Sequence, residues 1–340
     1  MKSITVSVLL FIEAASANKC KGLVLSGGSD LAVWEAGVMW GLSHYGVPED
    51  YYWDVISGIS AGSINTSITS GWKPEEVLEM TEFMSETYYS LQESWLFERR
   101  PNFKDMNQAH AVLNDDPALA FLRGILAMKP DFGRMVSVGA LEVQTGEFWE
   151  FNQINTKYED FAQAGLSSGS IPFALQPQHL HGGVLVDGGT VWDVNVYSAI
   201  SQCRAVTEND EDITIDIVTI HSNNPPHDQI GNSMHNWRTV KKDIHWFWRD
   251  GLNYKRQLEA CPKCNYRWTF AGRGPNDCPK DLRGLDFNGQ DTWCLQEMGR
   301  NDALRALEND HYPQVTDALW RWADSPDLIQ AYPNFFDYAF

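Results

Sequence analysis

Positive charge is what this sequence has least of. It has 26 lysines and arginines against 45 aspartates and glutamates in 340 residues, a formal net charge of −19. Such a chain has no electrostatic reason to bind nucleic acid or a strongly anionic bilayer. Long apolar runs are missing too. No stretch reaches the ~20 apolar residues that a membrane-spanning helix requires. Pro333 to Phe340 is neither a lipid-anchor tail nor an endoplasmic-reticulum retention signal. The G-x-G-x-x-G pattern of a dinucleotide-binding loop is absent, as are internal repeats and low-complexity tracts.

Cysteine is sparse but patterned. The six are Cys20, Cys203, Cys261, Cys264, Cys278 and Cys294, four of them in one late segment. An even number suggests disulfides formed in an oxidising compartment. Cys261-Pro262-Lys263-Cys264 raises the rival reading of zinc. A zinc site would need a second close pair, however, and Cys278 and Cys294 lie far apart in the sequence. Spacing does not give the full connectivity; elimination leaves Cys20 to pair with Cys203.

Lys2, the mostly apolar Ile4 to Ile12 and the Ala15-Ser16-Ala17 site read as a secretory signal over residues 1–17. Glu13 is unusual there, and a buried N-terminal strand is the alternative. On the signal reading the mature chain starts at Asn18 and is secreted or held in the secretory lumen. At 43% hydrophobic and 21% charged, the chain buries a substantial core.

Strands are expected at Lys21–Ser26, Tyr52–Ser57, Val184–Val186 and Ile213–Ile220, and a hairpin at Met135–Leu141 and Glu147–Phe151. Helices are expected at Val33–His44, Ala61–Ile68, Pro74–Tyr89, Pro117–Met128 and Asn195–Cys203. Arg99 to Asp116 reads as irregular. This alternation predicts an α/β core over residues 18–225 with a largely parallel sheet. Residues 226–340 read as a helical and loop, cysteine-containing extension packed on that core. Its expected parts are a long helix at Trp237–Gly251, a cysteine-rich loop, and short helices at Asp302–Leu307 and Gln314–Ala323.

Four short motifs carry the chemistry. Gly58-Ile59-Ser60-Ala61-Gly62 is a G-x-S-x-G between a strand and a small-residue helix, the setting of a nucleophile elbow. Gly58 and Gly62 allow the tight turn, and the helix N-terminus points positive charge at Ser60. Leu25-Ser26-Gly27-Gly28-Ser29-Asp30 is a strand entering a glycine loop, whose successive N–H groups suit an oxyanion hole. Val186-Asp187-Gly188-Gly189 projects an aspartate from a strand end, although a turn aspartate capping its own loop is the commoner fate of Asp-Gly. Gly165 to Pro172 is a small-residue turn.

In this order the motifs resemble those of the patatin-like phospholipases, over roughly residues 20–222. Gly27-Gly28, Gly58 to Gly62, Ser167 to Pro172 and Asp187-Gly188-Gly189 match, and Glu35-Ala36-Gly37-Val38 fits the family's first helix. The glycine loop departs from the family pattern. Ser29, Leu31 and Ala32 stand where a glycine, a basic residue and a glycine are expected. The resemblance implies an α/β/α sandwich and a lipid acyl hydrolase acting on a lipid or phospholipid at a membrane or micelle surface, without cofactor or metal. It implies Ser60 as nucleophile, Asp187 as its base, and Gly27, Gly28, Ser29 and Asp30 as oxyanion donors. Two other readings compete. One is a Ser60–Asp187–His221 triad esterase, disfavoured because the elbow comes so early in the chain. The other is a non-catalytic lipid-binding protein on the same scaffold. Asn65-Thr66-Ser67, the only N-glycosylation sequon, is expected to be buried and unmodified.

Overall fold

The run Leu23-Val24-Leu25 sends its side chains alternately to two faces, and both faces are buried. Leu23 and Leu25 join Ile56, Val136 and Val218 in one core layer; Val24 joins Val55, Ile215 and Ile217 in the other. A strand buried on both faces belongs inside a sheet that is covered by helices on each side. The computed structural model describes residues 19–219, 253–271 and 287–309, with Cys278 and Leu285. Residues 1–17, read above as a signal, His221, the helix expected at Trp237–Gly251 and the one at Gln314–Ala323 lie outside the described residues.

The elements in chain order are β1 (Cys20–Leu25), α1 (Ala32–Tyr45), β2 (Val55–Ile59), α2 (Ala61–Thr69), α3 (Val77–Ser90), β3 (Glu98–Arg99), α4 (Phe103–Ala109), β4 (Leu113–Asn114), α5 (Asp116–Leu126), β5 (Met135–Glu142), β6 (Phe148–Asn152), α6 (Tyr158–Gly169), β7 (Gln178–Leu180), β8 (Gly183–Asp187), α7 (Val196–Cys203), β9 (Ile213–Thr219), α8 (Asn253–Glu259), β10 (Asn265–Ala271) and α9 (Gly289–Asn309). The central sheet runs β10-β9-β1-β2-β5-β8-β7, with β6 also on β5. Strands β10, β9, β1, β2 and β5 are parallel; β6 and β8 run antiparallel to β5, and β7 antiparallel to β8. Helices α1, α2, α3, α5, α6 and α9 supply the core on one face; α7 and α8 supply it on the other. The α/β class and the largely parallel sheet expected from the sequence are both present.

Three elements differ from the sequence expectation, each for a local reason. The cysteine-rich segment contains β10, whose alternation is broken by a register shift between Tyr266 and Trp268. The small-residue turn at Gly165–Pro172 begins as the last turns of α6, where Gly165 and Gly169 weaken the helical signal. Within the irregular stretch lies α4, an exposed helix with no apolar stripe, started by the Asn102 side chain accepting the Asp105 N–H at 3.0 Å. The short helix expected at Asp302–Leu307 is part of the 21-residue α9.

Helix α9 is fitted tightly to α1. A Cβ on Gly37 would lie 2.3 Å from the Gln296 carbonyl oxygen, and one on Gly299 would lie 2.3 Å from that of Trp34. The two backbones therefore touch at positions that accept no side chain, and the buried Trp34 indole donates to Asp302 at 2.9 Å. Disulfides join Cys20 to Cys203, Cys261 to Cys264 and Cys278 to Cys294. The first is the pair reached by elimination. Three disulfides fit an oxidising compartment. No helix among the described residues is long and apolar enough to cross a membrane.

Strand β10 is held by a buried charge. Asp216 on β9 is 1% exposed. It accepts from the Trp53 indole at 2.8 Å and from Arg267 of β10 at 2.5 and 3.0 Å. Removing the arginine leaves a buried carboxylate without its cation, so Arg267→Ala should cost ~3–5 kcal/mol. Urea unfolding measures this; a loss under ~1 kcal/mol would show that the pair does not hold the edge strand.

Candidate active site

One edge of β5 brings the two central residues of the site together. Val55 to Ile59 of β2 pair with Met135 to Gly139. Where β2 ends, β8 takes over the same edge, and Ala140 pairs with Asp187. Strand β6 occupies the opposite edge throughout. The residue after Ile59 is Ser60, so the serine leaves the sheet beside the aspartate. The Ser60 Oγ donates to Asp187 Oδ2 at 2.7 Å, and both side chains are buried.

Ser60 sits at φ 51°, ψ −116°, a region that non-glycine residues rarely occupy. The turn is forced by close packing. A Cβ on Gly58 would lie 2.1 Å from the Gly62 carbonyl oxygen, and one on Gly62 would lie 2.5 Å from that of Leu25. Helix α2 starts at Ala61, with its N-terminus against Ser60. Its buried Thr66, Ser67 and Thr69 hydroxyls bond back to carbonyls one turn earlier at 2.8–3.0 Å.

The end of α6 pins both residues. Ser60 N–H donates to Ser168 Oγ at 2.9 Å, and Asp187 N–H donates to the Ser170 carbonyl at 2.9 Å. Gly189 N–H donates to Asp187 Oδ1 at 2.6 Å, which leaves Oδ2 directed at the serine. Gly188 packs against the Gly139 carbonyl of β5.

The glycine loop lies over the serine. The Cα of Gly27 faces the Ser60 Cβ, but its N–H donates to the Asp193 carbonyl at 3.2 Å. The Gly28 N–H has no partner among the described residues. Ser29 lines the same pocket as Ser60 and has φ 57°, the left-handed conformation that favours glycine. Asp30 is buried and does not line that pocket.

Two buried carboxylates beside the loop went unassigned in the sequence. Asp193 places Oδ1 close to the Cα atoms of both Gly27 and Gly189. Nothing in Trp192-Asp193-Val194 marks it, because a backbone turn brings it there. Glu35 was legible only as part of the first-helix match. Fully buried on α1, it accepts from Ser26 N–H and from Asn65 Nδ2, each at 3.0 Å. Asn65 Oδ1 in turn accepts the Tyr88 hydroxyl at 2.6 Å. Burial pushes the Glu35 pKa well above its ordinary value, opposed by the hydrogen bonds from Asn65 and Ser26. Asn65 is 0% exposed, so the folded protein has no room for a glycan there.

From Ser60 an apolar pocket runs between α2, α5 and the segment after α3. Ile64, Ile68, Leu91, Leu96, Phe121 and Leu122 form much of its wall. Among the described residues, no cluster of side chains could hold a metal ion, and no histidine bonds to Ser60.

Residues 23–200, just over half of the chain, match the model of the patatin-like phospholipase family. The chain belongs to that family, and membership supports a lipid hydrolase function. No curated protein matches the sequence at a significant level. Among solved structures, VipD from Legionella pneumophila is similar at 15% identity and TM-score 0.36, over 84% of this chain and 68% of that one. The heterodimeric ExoU–SpcU complex of the Pseudomonas aeruginosa type III secretion system is similar at 13% identity and TM-score 0.37, over 95% of this chain and 60% of the matched chain.

Ser168→Ala takes away the acceptor for a buried N–H and should destabilise the protein by ~1–3 kcal/mol. If Ser168 sets the elbow, esterase kcat should fall about tenfold while the protein stays folded; unchanged kcat would make its role structural alone. Glu35 gives a pH test. Its folded pKa lies above the unfolded value near 4.5. The stability it contributes is therefore complete below that pH and is lost as pH rises through the folded pKa. Glu35→Gln does not titrate, so its stability relative to the native protein should improve from acid to neutral pH. A flat difference in urea unfolding across that range would show that Glu35 keeps one protonation state.

Proposed function

We propose that the protein is a lipid acyl hydrolase, of phospholipase A type or a related lipid esterase, with Ser60 as nucleophile and Asp187 as its base. The observation that carries this reading is the 2.7 Å Ser60–Asp187 hydrogen bond, with Ser60 on the wall of an apolar pocket. The pocket takes the acyl chain and brings the ester carbonyl to Ser60. As Oγ bonds to the carbonyl carbon, its proton passes to Asp187 Oδ2. The oxyanion is met by the glycine loop, with the Gly28 N–H as an open donor, and by the N-terminus of α2. Asp187 then protonates the departing alcohol, and the acyl group stays on Ser60. Water attacks the acyl-enzyme and gives a proton to Asp187. The fatty acid leaves as Ser60 regains its own proton.

The N–H of Gly27 already serves the Asp193 carbonyl, so among the donors implied by the resemblance the reading leans on Gly28. Carboxylate is a weak base for a serine hydroxyl, which puts much of the catalysis on these fixed dipoles; one oxyanion donor is worth ~10²–10³ in rate. Phe103 and Phe173 are 81% and 79% exposed. They give a chain of net charge −19 apolar contacts for a lipid surface that charge alone would not supply. The segment at 1–17 and the disulfides support export.

A fluorophosphonate probe should label the native protein and leave Ser60→Ala unlabelled. Asp187→Asn should lower kcat by ~10²–10⁴, with His221→Ala near the native rate. The reverse pattern would move the base role to His221. No labelling, beside a known serine hydrolase that does label, would leave a lipid-binding protein without catalysis.

A further inference from the structure

The pocket at Ser60 is apolar along its length, so it accounts for an acyl chain and not for the polar part of a lipid. A second groove shares Ser29, Phe97, Ile171 and Leu285 with it and opens outward, past the glycine loop. Its outer walls carry Glu93, Arg99 and Phe173. Arg99, on β3, is exposed and has no ion pair or hydrogen bond from its guanidinium among the described residues. The Glu93 carboxylate has none either. The neighbouring Arg100 is already engaged by Gln176 at 2.6 Å.

Local charge sets this groove apart from its surroundings. Every charged residue from Glu75 to Glu93 is a glutamate. From Ser94 to Asn114, Arg99, Arg100 and Lys104 outweigh Glu98 and Asp105, within a strongly acidic chain. The groove itself carries one charge of each sign, Arg99 and Glu93. Leu31 brings none to the loop itself.

We propose that this groove holds the head group of a zwitterionic glycerophospholipid, with Arg99 on the phosphodiester and Glu93 facing the ammonium. The inference rests on the reading of the Ser60 pocket as an acyl site. A guanidinium matches two phosphate oxygens at once. Glu93 opposes a head group that carries a second negative charge and attracts one that carries a positive charge. The acyl chain, ester and phosphate of one lipid then follow the path from the inner pocket past Ser60 and Ser29 to Arg99.

The test uses binding, so that it does not depend on turnover. Short-chain phosphatidylcholine, phosphatidylglycerol and diacylglycerol with identical chains are titrated by calorimetry into the full-length Ser60→Ala protein. Phosphatidylcholine should bind about tenfold tighter than diacylglycerol, the worth of one charge-assisted contact. Adding Arg99→Ala should abolish that preference with thermal unfolding unchanged, and Arg99→Lys should restore part of it. Adding Glu93→Gln should narrow the gap between phosphatidylcholine and phosphatidylglycerol. A preference that survives Arg99→Ala, an equal loss on both neutral and phosphate lipids, or binding of none of the three would overturn the proposal. If the native protein escapes the fluorophosphonate probe while Ser60→Ala keeps an Arg99-dependent preference, the hydrolase reading fails and the head-group site stands.

Discussion

The edge of β5 is the constraint on which the site depends. Two strands of opposite direction share it end to end, β2 up to Gly139 and β8 from Ala140. Residues 127 positions apart in sequence are thereby placed within hydrogen-bond reach, at Ser60 and Asp187. Backbone pairing sets that distance, and register is the most rigid quantity a sheet has, because a one-residue slip would turn every side chain to the other face. The serine and aspartate need no flexible loop to find each other. What remains for side chains is orientation, supplied by Ser168 for the elbow and by the Gly189 N–H for the carboxylate.

This rigidity accounts for the strain the site tolerates. Ser60 and Ser29 both hold positive φ, a conformation that costs a non-glycine residue ~1–3 kcal/mol. Packing around them leaves no alternative. The elbow is wedged between the Gly58–Gly62 contact and β1, and the loop is tied at its start by the Gly27 N–H on Asp193 and by Glu35 on Ser26. Glu35 links the loop to α2 through Asn65, so the glycine loop and the elbow helix share one buried polar joint. A buried joint of this kind is stable only when every member has a partner. That is why the small polar residues of α2 turn their hydroxyls back onto their own helix.

Much of this could be read in advance because it is written in backbone requirements. Glycines at 58 and 62, the apolar strand before them, and Asp187 at a strand end each state a local geometry, and those geometries meet where the motifs predicted. The less legible parts depend on tertiary position. Asp193 and Glu35 reach the loop because of how α1 and the turn after β8 pack, and a lone buried carboxylate has no signature in sequence. Strand β10 was hidden by its register shift, and α6 by its glycines.

The departures in the glycine loop also take on a different character once the fold is in view. Oxyanion donors are backbone groups, so serine at position 29 keeps its N–H and loses only the ease of holding a left-handed turn, which neighbouring packing enforces. The basic residue missing at Leu31 is a different matter, since charge cannot be replaced by packing. Within this strongly acidic chain, Arg99 is an exposed cation in the groove that continues from Ser29, with Glu93 on the same walls. On the proposed reading, Arg99 supplies in that groove the positive charge that Leu31 does not bring to the loop. If both proposals hold, loop and groove divide what one basic loop residue would otherwise combine: stabilising the transition state near Ser60, and recognising the head group.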